Sequence, residues 1–459
     1  MRRAPLLVLL VLVLAFPAAA QNTDIEALSG LQFSFGNPGA RSLGMGGAFL
    51  GLADDASAAE ANPAGLTVLR KTEVSIEARN SKTTQTLNVG GEFPDLVDDD
   101  FFSYSRRVPV TFASVVTPIG QNFSLAAYFH SPIEFESAIV NAFSQEGFVD
   151  PILFSLGPDG PVTTDQCFQI EECAQFNLFP FATGVNIRLQ TYGLAGAWKM
   201  GNLSVGVAGR YHRFEENALT LRTDFDLNLT QVASQTSDDN DVTFSAGFKY
   251  AFTDNFSMGG VYKQGAEFET GLFYQSVQDG TPQEQIGAPT FHIPDAYGLG
   301  VSFRPIPLLT INADAIRVNH SNSTDDFVSV FASDTILADG TPLGDLTPED
   351  YGQYRAEDVT EIHVGAEYVL TTRIPLAIRV GWWRDPAHSI TYAGPLLGLN
   401  AGQPRAAATV AAAILYPGTE DEDHITGGIG LFWPNFQIDA AYDTADSYKV
   451  GSLSAVFRF

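Results

Sequence analysis

The stretch VTFSAGFKY, Val242 to Tyr250, carries two alternating sets of residues. Val242, Phe244, Ala246, Phe248 and Tyr250 are apolar or aromatic, whereas Thr243, Ser245, Gly247 and Lys249 between them are small or polar. Successive side chains of a β-strand point to opposite faces, so this stretch has one greasy face and one polar, narrow face. A membrane barrel is distinguished by the repetition of that dyad in segments of about ten residues along the chain, lipid-facing positions being apolar. Phe436 to Asp443 repeats it, with Phe436, Ile438, Ala440 and Tyr442 set against Gln437, Asp439, Ala441 and Asp443. The same rhythm runs through Leu203 to His212, Tyr297 to Arg304, Ile362 to Tyr368, Leu376 to Trp382 and Leu453 to Phe459.

Outward from there, the pattern predicts strands near 72–81, 108–117, 121–131, 185–199, 202–215, 241–252, 255–271, 294–304, 308–320, 360–370, 375–385, 424–433, 435–443 and 448–459. The expected fold is all-β, a transmembrane antiparallel barrel of about 14 strands. Barrels of this kind alternate short turns with long external loops. Short links fall at Pro118-Ile119-Gly120, Met200-Gly201, Thr253-Asp254, Pro305-Ile306-Pro307, Thr371 to Ile374 and Pro434. Long ones fall at 82–107, 132–184, 216–240, 272–293, 321–359 and 386–423, with Thr444 to Tyr448 the exception. A large exported β-sandwich would alternate too, but would need neither this parity nor an apolar face on nearly every strand. Phe459 ends the last strand, as the terminal aromatic signal read by the barrel-assembly machinery does in known outer-membrane proteins.

Composition agrees. Only 17% of residues are Asp, Glu, Lys or Arg, against about 25% in a soluble domain. The net charge of −28 excludes nucleic acid as a partner, which would need a positive field. Acidic runs at Asp95 to Asp100, Asp238 to Asp241 and Glu420 to Asp423 are expected in solvated loops, with cation bridging to lipopolysaccharide as the sharper reading. Cys167 and Cys173 are the two cysteines, and an exported setting favours a local disulfide between them.

The chain opens with Met1-Arg2-Arg3, an apolar run from Ala4 to Ala20, and the small-residue pattern Ala18-Ala19-Ala20-Gln21. Residues 1–20 are expected to be a secretory signal peptide, with no nearby cysteine for a lipid anchor. Beyond it no run reaches the roughly 18 apolar residues of a membrane helix. Residues 21–70 do not alternate. They are rich in Gly and Ala, and Asp54-Asp55 before an Ala-rich run predicts a short helix that Asn62-Pro63 ends. Gly44 to Gly47 lacks the preceding strand and following Lys of a phosphate loop. Such a segment suits close packing inside a confined lumen, so 21–70 reads as a plug and 71–459 as the barrel.

The run GARSLGMGGAFLGLADDASAAEANPAGL, Gly39 to Leu66, resembles the amino-terminal hatch of FadL-type outer-membrane transporters of long-chain fatty acids and other hydrophobic compounds. Ile293 to Asp314, Ile374 to Pro386 and the hairpin from Ile425 to Phe459 agree in order, so the likeness spans most of the mature chain. The resemblance implies a 14-stranded barrel occluded by a hatch, external capture in an apolar pocket, and sideways release into the membrane. The family's Asn-Pro-Ala hatch motif matches Asn62, Pro63 and Ala64; the family's lateral opening goes with a distorted third strand, which Ser131-Pro132 would limit here without locating an opening. Barrel relatives in secretion or surface-attachment assemblies share that hatch and supply the alternative function.

Inward charges are expected at Arg210, Lys249, Arg304, Glu367, Arg379, Asp439, Asp443 and Arg458. Arg379 and Lys249 are the candidate partners for a ligand carboxylate, against internal salt bridges to Glu367 and Asp439. Trp198, Tyr250, Trp382 and Trp433 suit an interface girdle. The scattered histidines make no metal spacing, and no cofactor motif or nucleophile elbow is present. The expected partners are therefore hydrophobic small molecules, outer-membrane lipids and lipopolysaccharide, and the expected role is passive transport rather than enzymatic.

Overall fold

The structure, a computed structural model, describes residues 36–87, 100–141, 153–177, 181–223, 228–278, 281–287, 290–324, 354–401, 406, 409, 412–413, 416 and 418–459. The predicted signal peptide, residues 21–35 of the predicted plug and Asp95 to Asp99 lie outside these.

The strands whose alternation repeats along the chain close into an antiparallel barrel of 14. In order they are β1 (Glu73–Leu87), β2 (Asp100–Ile119), β3 (Phe123–Asn141), β4 (Phe181–Met200), β5 (Leu203–Thr223), β6 (Leu229–Thr253) and β7 (Phe256–Lys263). They continue as β8 (Ala296–Ile306), β9 (Leu309–Val318), β10 (Val359–Leu370), β11 (Leu376–Asp385), β12 (Glu422–Trp433), β13 (Phe436–Thr444) and β14 (Tyr448–Arg458). Each pairs with its chain neighbour, and the ring closes where β1 meets β14, from Glu73↔Arg458 to Thr83↔Tyr448. Closure leaves neither the first nor the last strand as an edge in the bilayer, where an unpaired backbone group is costly.

The dyad sorts as expected. Val242, Phe244 and Tyr250 face out and are exposed, while Thr243, Ser245 and Lys249 face in and are buried. At the short-turn end, aromatic rings meet along the wall: Tyr250 with Phe252 at 4.7 Å, Phe252 with Phe256 at 5.3 Å, and Phe436 with Phe457 at 4.5 Å. Trp198, Tyr250, Trp382 and Trp433 all lie on the outer face.

At the long-loop end the structure corrects the expected strand limits. β5 and β6 run on as a paired ribbon well beyond the predicted ends, so Asp238 to Asp241 lie in a strand paired with His212 to Glu215 rather than in a loop. Above the bilayer both faces of a ribbon are wet, and the outward apolar signal that marks a strand in lipid fades. A hairpin, Gly271–Gln278 with Thr281–Gly287, adds to the outer part of β6. A second ribbon pairs Ala266–Glu269 with Thr290–Ile293. β7 therefore stops at Lys263, short of the predicted strand over 255–271. Cys167 and Cys173 are joined by a disulfide beside a small sheet built on Leu153–Gly157.

Within the ring lies the segment from Asn37 to Leu69, almost wholly buried. It holds two single-turn helices, α1 (Ala40–Leu43) and α2 (Ala58–Ala61), and a 3₁₀ turn over Pro63–Val68. Asn62 ends α2 in an extended conformation, as a residue before proline should.

Candidate functional site

The hatch segment meets the wall through backbone, and the wall answers with glycine. A Cβ on Gly365 would lie 2.1 Å from the Met45 carbonyl oxygen, and one on Gly381 would lie 2.1 Å from the Gly46 nitrogen. The space beside these inward glycines is thus filled by the hatch, at contact distances no side chain permits. Polar anchors complete the seat. Asp314 accepts from the N–H groups of Phe49 and Leu50 at 2.6 and 2.8 Å, and Thr426 Oγ1 accepts from Gly46 N–H at 2.9 Å.

Asn62, Pro63 and Ala64 rest on three such positions. Asn62 Nδ2 donates to the carbonyls of Leu50 and Phe248, both at 3.1 Å, and its Oδ1 accepts from Ala64 N–H at 3.2 Å. A Cβ on Gly247 would strike Asn62 Oδ1, one on Gly259 would strike Leu50 O, and one on Gly206 would strike Pro63 and Ala64. The motif is a clasp fitting the hatch to β5, β6 and β7.

Arg379 and Lys249 both belong to this seat. The Arg379 guanidinium is fully buried between Glu367 at 2.7 Å and Asp439 at 2.8 Å. Glu367 also receives Arg41 of the hatch at 2.9 Å. Lys249 Nζ donates to the carbonyl oxygens of Gly51 and Leu52. Of the other flagged charges, Arg458 pairs with Glu73 at 2.8 Å near the seam, and Asp443 accepts from His424 and from Trp383 Nε1. Phe459 lies exposed past β14, its N–H donating to Thr72 O at 3.0 Å.

Above α2 the character of the lumen changes. Val185, Ile187, Leu189, Phe214, Phe268 and Phe291 form an apolar cluster, with Ile133 and Ile293 packed against it. Phe214 is sandwiched by Phe268 at 4.7 Å and Phe291 at 4.6 Å, so the 266–269/290–293 ribbon folds into the barrel mouth. Beneath the cluster is a cavity of about 40 Å³, enclosed by Glu60, His130, Pro132, Arg210, Lys263 and Ile293 among others. That is room for a few waters and not for a ligand tail while the ribbon is in place.

At its floor, Glu60 of α2 lies 3.4 Å from Arg210 and 3.1 Å from Lys263. Burial alone would raise the Glu60 carboxyl, but the two cations hold it well below the usual carboxylate range. Arg210 was legible as an inward charge. Lys263 has the inward parity of Ser257 and Gly259, and Glu60 is the acid in an Ala-rich run; either signal suffices to find them once the strand phase is known.

The cavity also adjoins a break in the wall. β2 and β3 pair from Ile119↔Phe123 only to Phe112↔His130. Beyond that β2 continues with β1 and β3 with β4, and the β3–β4 register slips between His130 and Ile133, across Ser131-Pro132. Proline supplies no donor and forces such an irregularity. A larger groove of about 630 Å³, lined by Phe248, Tyr262, Tyr297 and Leu299, lies on the outer face of β6 to β9, separate from the lumen.

No protein-family profile and no curated protein matches this sequence. Solved structures do. A FadL homologue of Pseudomonas aeruginosa matches at a TM-score of 0.60 with 14% identity, over 94% of this chain and 100% of that one. This chain has the FadL-type fold. The toluene transporter TbuX of Ralstonia pickettii matches at 0.53 with 14% identity, over 92% of this chain and 98% of its own. The toluene transporter TodX of Pseudomonas putida matches at 0.50 with 15% identity and the same coverages. At such identities the FadL-type fold is shared while the side chains that meet a ligand are this chain's own.

Proposed function

We propose that this protein resides in an outer membrane and passively takes up hydrophobic small molecules, long-chain fatty acids foremost. The observation that carries the reading is the apolar cluster placed over the Arg210–Lys263 pair and beside the β2–β3 break. Apolar walls with a few placed polar groups suit a lipophilic ligand with one polar end, and two cations suit a carboxylate. The carboxylate role considered for Arg379 and Lys249 passes to Arg210 and Lys263, because the first two are consumed in seating the hatch.

In this mechanism a ligand enters at the long-loop end by displacing the Phe268–Phe291 ribbon. Its tail takes the place of those rings against Phe214, and it leaves sideways through the break at Ser131-Pro132. The hatch, clasped by Asn62, Pro63 and Ala64, bars water from a straight path. No energy source is required, since transfer follows the ligand's own gradient. The test is uptake of a fluorescent long-chain fatty acid into vesicles containing the purified protein. Uptake above that of protein-free vesicles is expected; absence of both uptake and binding overturns the reading.

A further inference from the structure

Charge does not balance at the cavity floor. Arg210 and Lys263 are both nine-tenths or more buried, and among the described residues they share a single carboxylate, Glu60. Among the described residues, the other groups facing the cluster add no free acid. His130 approaches Glu60 only to 3.9 Å, and a proton on its ring would add to the positive side. His212 is bonded to Thr191 and Thr243 at 2.9 and 2.8 Å. Glu77 is held by Arg79 at 2.7 Å, and Asp295 accepts from Gly265 N–H and the Tyr262 hydroxyl. Buried charges are tolerated only when paired. Two cations on one acid leave the equivalent of one positive charge unmatched.

The acid also has a distinctive address. Arg210 and Lys263 belong to the wall, on β5 and β7, whereas Glu60 belongs to the hatch and stands two residues before Asn62. The ion pairs at Glu60 therefore tie the upper surface of the hatch to the wall. Its second oxygen, Glu60 Oε2, has no hydrogen-bond partner among the described residues, nor does Arg210 Nε. Both border the cavity.

We infer that Glu60 is a built-in stand-in for the ligand's carboxylate, so that an anionic amphiphile both satisfies the spare cation and competes with Glu60 for the pair, loosening the hatch as it binds. The inference rests on the uptake reading above and adds to it a coupling and a preference. Acids unlatch the hatch; neutral lipophiles of equal length occupy the apolar cluster without doing so. A ligand shifts a conformational equilibrium only by its differential affinity for the two states, and the carboxylate supplies that difference.

The test uses the full-length protein and two probes, a long-chain fatty acid and the alcohol of the same chain length. In the wild-type protein the acid is expected to speed amide hydrogen exchange over residues 58–64, and the alcohol to leave it unchanged. Glu60→Gln removes the competitor, so acid affinity should rise roughly tenfold or more while alcohol affinity stays fixed, and exchange over 58–64 should be fast without ligand. Lys263→Met leaves Arg210 and Glu60 as a neutral pair, so the preference for acid over alcohol should vanish; this variant carries the test should Glu60→Gln assemble poorly. If the acid binds but the acid-to-alcohol ratio is the same in all three proteins, or if acid and alcohol affect the hatch alike, this inference is overturned and the uptake reading stands. If neither probe binds any of the proteins, both fall.

Discussion

The two ends of the lumen are built on opposite plans. Toward the short turns the wall presents glycines and fixed charges, and hatch backbone fills the space to contact. Toward the long loops the wall presents Val185, Ile187 and Phe214, and a ribbon of its own chain folds in to cover them. One end is sealed by close backbone approach and buried hydrogen bonds, which have a single solution. The other is closed by apolar side chains, which a second apolar body can replace without leaving a polar group unsatisfied. A plug and a pocket are thus distinguished by the kind of contact, even where both are equally buried.

Three changes break or sharpen that contrast. The largest effect is expected from Arg379→Met, which leaves Glu367 and Asp439 buried without their shared cation. A loss of about 3–5 kcal/mol follows, read as a lower unfolding temperature of the barrel; an unchanged temperature would show that Arg41 alone suffices to hold Glu367. Next is Gly365→Val, whose side chain has no space beside the Met45 carbonyl. Overpacking of this kind costs about 1–3 kcal/mol, and displacement of the hatch should raise single-channel ion conductance. Conductance equal to wild type would mean that the hatch bars no water.

The smallest effect concerns the loop bases at the long-loop end, where His320 and His388 stack at 4.2 Å. Burial and the neighbouring His388 push His320 down to about 3, while Asp385 raises His388 against its burial. Because the His320 value is depressed on folding, its contribution is present above its ordinary value near 6.5 and is lost as pH falls toward 3. The His388 contribution is complete below that ordinary value and is lost as pH rises through its raised one. Hydrogen-exchange protection over 319–324 and 386–390, corrected for the intrinsic pH dependence of exchange, should therefore fall between pH 7 and 4 with that of the barrel strands unchanged; a flat protection profile removes the role given to His320.

The barrel was legible because lipid imposes one rule on every strand inside it. Val242 to Tyr250 shows that rule in nine letters, and each of the predicted barrel strands has its counterpart in the ring. The rule lapses where lipid ends, which is why the ribbon through Asp238 to Asp241 read as loop. Pro132 marked the irregularity in β3 but not that the strand resumes beyond it to Asn141. The candidate site was legible in parts only. Strand parity made Arg210 an inward charge, yet its meeting with Glu60, 150 positions away, depends on how the hatch sits in the ring. For Arg379 the sequence already offers Glu367 and Asp439 as partners, and the closed ring makes both pairs, whereas the hatch carbonyls that hold Lys249 leave no signal in strand parity.

The seam between β1 and β14 ties the ring to its contents. Glu77 of β1 accepts from Gly39 N–H at 2.9 Å and from Ser452 Oγ of β14 at 2.6 Å, and Ser454 of β14 accepts from Ala40 N–H at 3.2 Å. The first and last strands are thus bridged by the segment that precedes the first. Seating the hatch and closing the cylinder share one set of bonds, so neither is complete without the other and inside and outside are fixed together.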